Sequence, residues 1–260
     1  MDHTSLALFS SMGLLFSMLI ATEAGRKLGR RVRVGESETD RRANGLIDGA
    51  IFALLGLLIA FTFSGAASRF DHRKELVIKE ANAIGTAYLR LDLLPAELQP
   101  ALRGLFRRYV DARLAEYQHL TSEPEQSRRA TDQANDLLKQ IWRNVIDSTR
   151  ASGSVPATTL LTQSANEMID IAGIRAATRT YMHPPTVVFV MLFGIALLSA
   201  VLAGYAAANS RRRTSLHVIA FATVMAATAY VILDIEYPRF GFIRIDDIDQ
   251  LLVNLRKDMG

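Results

Sequence analysis

Four apolar stretches of the chain are long enough to cross a membrane as helices: residues 5–22, 45–67, 185–208 and 216–233. A spanning helix needs about 17–25 mostly apolar residues, and its backbone must satisfy its own hydrogen bonds inside the bilayer. The first stretch lacks the preceding Lys or Arg and the cleavage site of a secretory signal, so it is expected to remain as an anchor. The pattern predicts an all-α membrane protein with four spans.

A long polar segment, residues 68–183, separates the second span from the third. Apolar positions recur in it at helical spacing, and its prolines fall at plausible joints between helices. Ser122 and Glu125 have the spacing of a capping box, with Pro124 in the first turn of the helix that follows. The segment is therefore predicted to be an extramembrane helical bundle. The sequence divides into residues 1–67, 68–183, 184–235 and a C-terminal amphipathic tail, 236–260.

The second span and the polar segment run together without a break. No proline occurs from residue 43 to residue 94, so one helix of about 75 Å is predicted, well beyond the bilayer core of roughly 30 Å. Such a helix would connect the membrane domain to the bundle. The stretch AFTFSGAAS, residues 60–68, lies where it is expected to leave the membrane.

Composition and charge exclude several classes of function. Residues 67–183 hold sixteen Lys or Arg and fourteen Asp or Glu, so the polar segment offers no basic face for nucleic acid. The chain has no cysteine, and its five histidines are scattered. No metal site, catalytic residue or cofactor is expected, and the protein is not expected to be an enzyme.

Two short basic connections predict the orientation. One follows the first span and one joins the third to the fourth; they contain Arg26, Lys27, Arg30, Arg31, Arg33, Arg41 and Arg42, and Arg211, Arg212 and Arg213. Because short cytoplasmic loops are rich in Lys and Arg, both are expected in the cytoplasm. Residues 68–183 and both termini would then lie outside. The expected location is the inner (plasma) membrane of a bacterium, in contact with lipid.

The end of the second span contains candidates for a pore constriction. Two stripes at a spacing of four residues could form a hydrophobic neck in an oligomer: Leu57, Phe61 and Gly65, or Ile59, Phe63 and Ala67. Arg69, Arg73 and Lys74 follow and could attract anions. The same small and aromatic residues also suit packing between helices, and the residues alone favour packing.

Polar residues on two helices of the bundle suggest a ligand site or a salt-bridged seam. Asn82, Thr86 and Arg90 share one helix face near Glu80, and a later helix contains Asn166, Glu167, Asp170 and Arg175. In the tail, residues 248–259 could form a short helix in the membrane interface, or the tail could be loosely held.

Three stretches identify a family resemblance. ALLGLLIAFTFSGAASRFDHRKELVIKEANAIGTAYLRLDLLP, NEMIDIAGIRAATR and ILDIEYPRFGFIRID resemble the prokaryotic bestrophin-like domain family, whose members have four spans and a helical domain between the second and third. The family is distantly similar to bestrophins, which are pentameric anion channels with a hydrophobic neck on the second span. The resemblance implies Ile59, Phe61 and Phe63 as neck residues. It also implies a cytoplasmic bundle, opposite to the charge rule.

These observations lead to two expectations about function. The first is a homo-oligomeric, anion-conducting channel, a pentamer if it follows the bestrophins, with the second span lining the pore. The alternative is a non-conducting membrane scaffold or sensor whose bundle binds a partner.

Overall fold

A computed structural model describes residues 3–32, 37–119, 123–208 and 214–260. Within these ranges the chain forms helices and no strand. The eight α-helices are α1 (His3–Val32), α2 (Glu38–Arg90), α3 (Gln99–Gln118), α4 (Pro124–Ser152), α5 (Val155–Tyr181), α6 (Thr186–Ala206), α7 (Thr214–Glu236) and α8 (Asp246–Asp258). The predicted all-α fold is confirmed, and four helical segments are long and apolar enough to cross a membrane.

The chain divides into two compact units, residues 1–69 with 183–243 and residues 70–182 with 244–260. The first unit, called the membrane unit below, contains the apolar helices α1, α6 and α7 and the first part of α2. Its core is built around Met18, Leu55 and Ala196, which are almost completely buried. Because α6 begins directly after Pro185, the proline pair stands at a helix start, as the sequence predicts.

Glycines allow α1 and α6 to pack with their backbones in contact. A Cβ atom at Gly25 would lie 2.0 Å from the Val201 carbonyl oxygen, and one at Gly204 would lie 1.9 Å from that of Thr22. Since residue numbers rise together along the two helices at these contacts, α1 and α6 run parallel. Small residues that permit close approach are typical of helix pairs in membranes.

Helix α2 is a single helix of 53 residues, as the missing proline predicts. It begins several residues before the apolar stretch, at Glu38, and ends at Arg90. Leu91–Leu93 then form a 3₁₀ turn, and the backbone of Leu94 is extended. That conformation is favoured for a residue that precedes a proline, here Pro95.

The second unit, called the bundle below, has its own apolar core. Helices α3, α4, α5 and α8 and the second part of α2 contribute to it, and Ile84, Phe106, Ile141, Met168 and Leu252 are its most buried members from each helix. Helix α4 ends at Ser152 because Gly153 adopts a left-handed conformation, with φ of 65°. Ser154 then caps α5 by accepting a hydrogen bond from the Ala157 amide.

The C-terminal helix α8 differs from both sequence expectations. It is neither loose nor placed in the membrane interface, because its apolar face is part of the bundle core. Leu252 is completely buried there. The Met259 carbonyl accepts hydrogen bonds from the Tyr88 hydroxyl and the Arg107 guanidinium, and Arg256 pairs with Asp111 at 2.7 Å. The sequence shows that this helix is amphipathic but not which surface its apolar face meets.

The boundaries of some elements also differ. Helix α1 continues to Val32, so Arg26, Lys27, Arg30 and Arg31 lie on the helix and not in a loop. Arg41 and Arg42 lie in the first turn of α2. The residue before α4 is Glu123, whose side chain makes no capping bond. Ser122, Arg33 and the three arginines at 211–213 lie outside the described residues.

Candidate functional site

One face of α2 in the membrane unit is left uncovered by the rest of the chain. Leu57 and Phe61 are 52% and 67% exposed, whereas Leu55 and Ala66 are 2% and 0% exposed. Ser64 and Ser68 continue the exposed face. These four positions follow one another at steps of four, three and four residues, which keeps them on one side of a helix. We call them the open face of α2.

The other neck candidates lie elsewhere on the helix. Ile59 packs against the core of the membrane unit and lines a narrow apolar crevice with Leu14 and Met225. Phe63 is partly exposed, but two residues correspond to about 200° around the helix axis, so it does not share the side of Phe61. Gly65 is half-buried beneath the guanidinium of Arg69. The structure therefore separates Leu57 and Phe61 from Ile59 and Phe63.

Arg69 belongs to a buried cluster at the end of α7. Its guanidinium donates two hydrogen bonds, of 2.9 and 2.7 Å, to one carboxylate oxygen of Glu236. The other oxygen lies 3.0 Å from Nδ1 of His183, whose ring stacks on Tyr237. Glu236 is 1% exposed. Because the pair is close and shielded, the charge of Arg69 is largely neutralised within the protein.

The other two expected attractors of anions also have local contacts. Arg73 donates a hydrogen bond of 3.1 Å to the Met182 carbonyl in the bundle. The ammonium of Lys74 lies 5.5 Å from the centre of the Phe70 ring, within reach of a cation–π contact.

A second buried carboxylate of α7 fixes the turn that follows the helix. Asp234 accepts hydrogen bonds from the Phe242 and Ile243 amides, at 3.2 and 2.8 Å, and from the Tyr230 hydroxyl. A Cβ atom at Gly241 would lie 1.6 Å from the carboxylate. Only glycine fits there, which explains the spacing of the acid and the glycine in ILDIEYPRFGF.

The bundle contains a buried cluster of ionic side chains from three helices. Glu80 of α2 pairs with Arg113 of α3 at 2.9 Å and with Arg175 of α5. Glu116 of α3 pairs with Arg113 and with Arg179 of α5. Both carboxylates are almost completely buried. The sequence-based expectation of a polar seam is met by one of its pairs, Glu80 and Arg175.

Aromatic side chains complete this ionic cluster. The Tyr117 hydroxyl accepts a hydrogen bond from Arg113 at 2.7 Å, and its ring lies 5.0 Å from the Arg175 guanidinium. Burial alone would lower the pKa of Arg113, but Tyr117 and Glu116 outweigh it and raise that pKa above its usual value. Burial also raises the pKa of the Tyr109 hydroxyl. The cluster therefore stays charged at all ordinary pH values and ties α2, α3 and α5 together.

The remaining polar candidates are on the outside of the bundle. Asn82, Thr86 and Glu167 are exposed, and Asn166 donates a hydrogen bond of 2.9 Å to Asp170 along the surface of α5. Arg90 donates to the Leu160 carbonyl at 2.8 Å. These residues do not converge on a common ligand position. Within the described ranges, no group of three or more histidine and acidic residues could hold a metal ion.

Sequence reasoning missed the partners of Glu80 on α3. Arg113 and Glu116 follow the buried residues Phe106 and Tyr109 at intervals of seven, so they lie on the apolar side of that helix. Charged residues on the buried side of an amphipathic helix were the available signal, and they indicate paired burial.

The class of protein follows from this architecture: a helical membrane protein with four spans and a bundle built on an extension of the second. The sequence profile of the Bestrophin-like domain matches residues 19–248. The chain belongs to the Bestrophin-like domain family, so the family resemblance is confirmed.

Solved structures show the same fold. A crystal structure of a bacterial Bestrophin homologue from Klebsiella pneumoniae is 17% identical, with a TM-score of 0.66 over 96% of this chain and 98% of that one. A single-substitution variant of that homologue gives a TM-score of 0.68 at 16% identity, covering 97% and 98%. A variant described as a membrane protein gives 0.69 at 18% identity, covering 95% and 96%. No curated protein matches the chain in sequence.

Proposed function

We propose that this protein is a homo-oligomeric ion channel in which the open face of α2 lines the pore and Leu57 and Phe61 form a hydrophobic neck. The observation that carries the proposal is the contrast between the two sides of α2. Leu55 and Ala66 pack into the membrane unit, while large apolar side chains four residues apart remain uncovered. A ring of copies would bring those side chains together around an axis.

The chemistry of the open face suits a neck. A constriction lined by leucine and phenylalanine loses water when it is narrow, and it passes ions only when it is wetted or widened. Ser64 and Ser68 follow the apolar pair, and their hydroxyl groups would hydrate an ion that has passed it. Membership of the Bestrophin-like family supports the same function, because the bestrophins that give the family its name are channels.

Residues 1–67 and 184–235 would form the membrane domain of each subunit, with lipid around it in the inner membrane. Residues 68–183 would form the extramembrane bundle, to which α8 of the tail is added. The sign of the conducted ion depends on the charges that follow the neck. The resemblance to bestrophins implies anions, with Arg69, Arg73 and Lys74 attracting them.

Flux from liposomes tests this proposal. Phe61→Ala widens the neck and removes apolar surface, so ion flux should rise several-fold above that of the unmodified protein. Phe16→Ala is the matched control, because Phe16 is 56% exposed on α1 of the same unit but is not on α2. It should leave the flux unchanged.

The oligomeric state in detergent provides a second measurement. The proposal requires a ring of three or more copies with the open face of α2 towards its axis. A monomer or dimer, or equal flux from the Phe61 and Phe16 variants, would contradict it. Absence of flux from all three proteins would favour the alternative, a membrane scaffold or sensor whose bundle binds a partner.

A further inference from the structure

We infer that Asp71 sets the ionic selectivity of the proposed pore and that the pore prefers cations. The inference rests on the proposed function and reverses the expectation of anions. It comes from the register of α2, which decides which charged side chains share the side of Leu57 and Phe61.

The positions that follow Ser68 on the open face are acidic. At about 100° per residue, Asp71 lies within about 40° of Leu57 around the helix axis, and Glu75 lies almost in line with Leu57. Both side chains are exposed. The steps of three and four residues from Ser68 to these positions continue the spacing of the open face along the same helix.

The basic residues lie on other sides of α2. By the same geometry, Arg69 and Arg73 are about 120° and 160° away from Leu57, and Lys74 is about 100° away in the opposite sense. The charge of Arg69 is also compensated by Glu236, with a hydrogen bond of 2.7 Å. The expected attractors of anions therefore do not share the side of the neck residues.

The two acidic residues differ in how far their charge is compensated. Glu75 pairs with Lys79 at 2.8 Å, one turn along the helix, and lies 4.0 Å from His72. Asp71 has no hydrogen bond or ion pair within the described part of the chain. In a ring of copies, one uncompensated carboxylate from each subunit would surround the axis. Rings of acidic side chains favour cations and repel anions.

The test is the zero-current potential of the full-length protein in a planar bilayer, with potassium chloride more concentrated on one side. The unmodified protein should give a potential of the sign set by potassium. Asp71→Asn should lower the ratio of potassium to chloride permeability several-fold, and Asp71→Arg should reverse the sign. Asp71→Glu should retain the cation preference. Raising the salt concentration on both sides should weaken the preference, because added ions screen the carboxylates.

Asp147→Asn is the matched control, because Asp147 is an exposed acid on α4 of the bundle. It should leave the zero-current potential unchanged. A potential of the sign set by chloride in the unmodified protein, or equal potentials for the three Asp71 variants, would overturn the inference while leaving a channel in place. Absence of current from every variant, with Phe61→Ala included, would overturn the proposed function and the inference together.

Discussion

At the scale of single residues, Glu80 joins the most helices through charge. Its carboxylate lies between Arg113 of α3 and Arg175 of α5, with almost no exposure to solvent. Removing one member of a buried ion pair leaves its partner with an uncompensated charge, and this commonly costs about 3–5 kcal/mol. The buried cluster is therefore the most sensitive polar feature of the bundle.

Glu80→Gln tests that sensitivity with little change in side-chain volume. We expect the thermal unfolding temperature in detergent to fall sharply, in line with a loss of about 3–5 kcal/mol. Glu167→Gln is the control, because Glu167 is exposed on α5, and it should change stability by less than about 0.5 kcal/mol. Similar unfolding temperatures for the two variants would show that the cluster adds no net stability.

At the scale of helices, the contact between α1 and α6 depends on glycine. Gly204→Ala would place a methyl group 1.9 Å from the Thr22 carbonyl oxygen, so the two helices would have to move apart. Overpacking of this kind costs about 1–3 kcal/mol. The thermal unfolding temperature of the purified protein should fall. Gly194→Ala, also on α6, meets no atom within 4 Å and should leave that temperature unchanged or slightly higher; a comparable fall in both variants would contradict the packing argument.

How far the sequence predicts each element depends on whether the signal is local. The continuity of α2 was predictable because the absence of proline is a property of the segment itself. The extension of α1 to Val32 was not, because Arg and Lys occur equally in helices and in basic loops. The position of α8 depends on a distant surface: Leu252 shows that one face is apolar, and only the folded bundle shows what that face contacts.

The candidate site illustrates the same limit. AFTFSGAAS identified the crossing point on α2, and its helical spacing defined two possible stripes. Which stripe is uncovered depends on packing by α1, α6 and α7, because these helices cover Ile59 and leave Phe61 exposed. The pairing of Arg69 with Glu236 joins residues far apart in sequence, so local reasoning assigned to Arg69 a free charge that the fold compensates.

At the scale of the whole molecule, the side of the membrane that holds the bundle is open to a direct test. The basic residues around the connection of α1 and α2 predict a cytoplasmic position for that connection and an external position for residues 68–183. Since the chain has no cysteine, a single introduced cysteine reports its own position. Thr39→Cys places a thiol at the start of α2, and Gln133→Cys places one on the exposed surface of α4.

A membrane-impermeant maleimide applied to intact cells should label the Gln133→Cys protein and not the Thr39→Cys protein. After the cells are permeabilised, both proteins should be labelled, which shows that both thiols can react. The opposite pattern in intact cells would place the bundle in the cytoplasm, as the resemblance to bestrophins implies. In that case the arginines of α1 and α2 would face outwards, against the usual rule. An ion entering from the cytoplasm would then meet Asp71 before the neck, because Asp71 follows Phe61 along α2 towards the bundle.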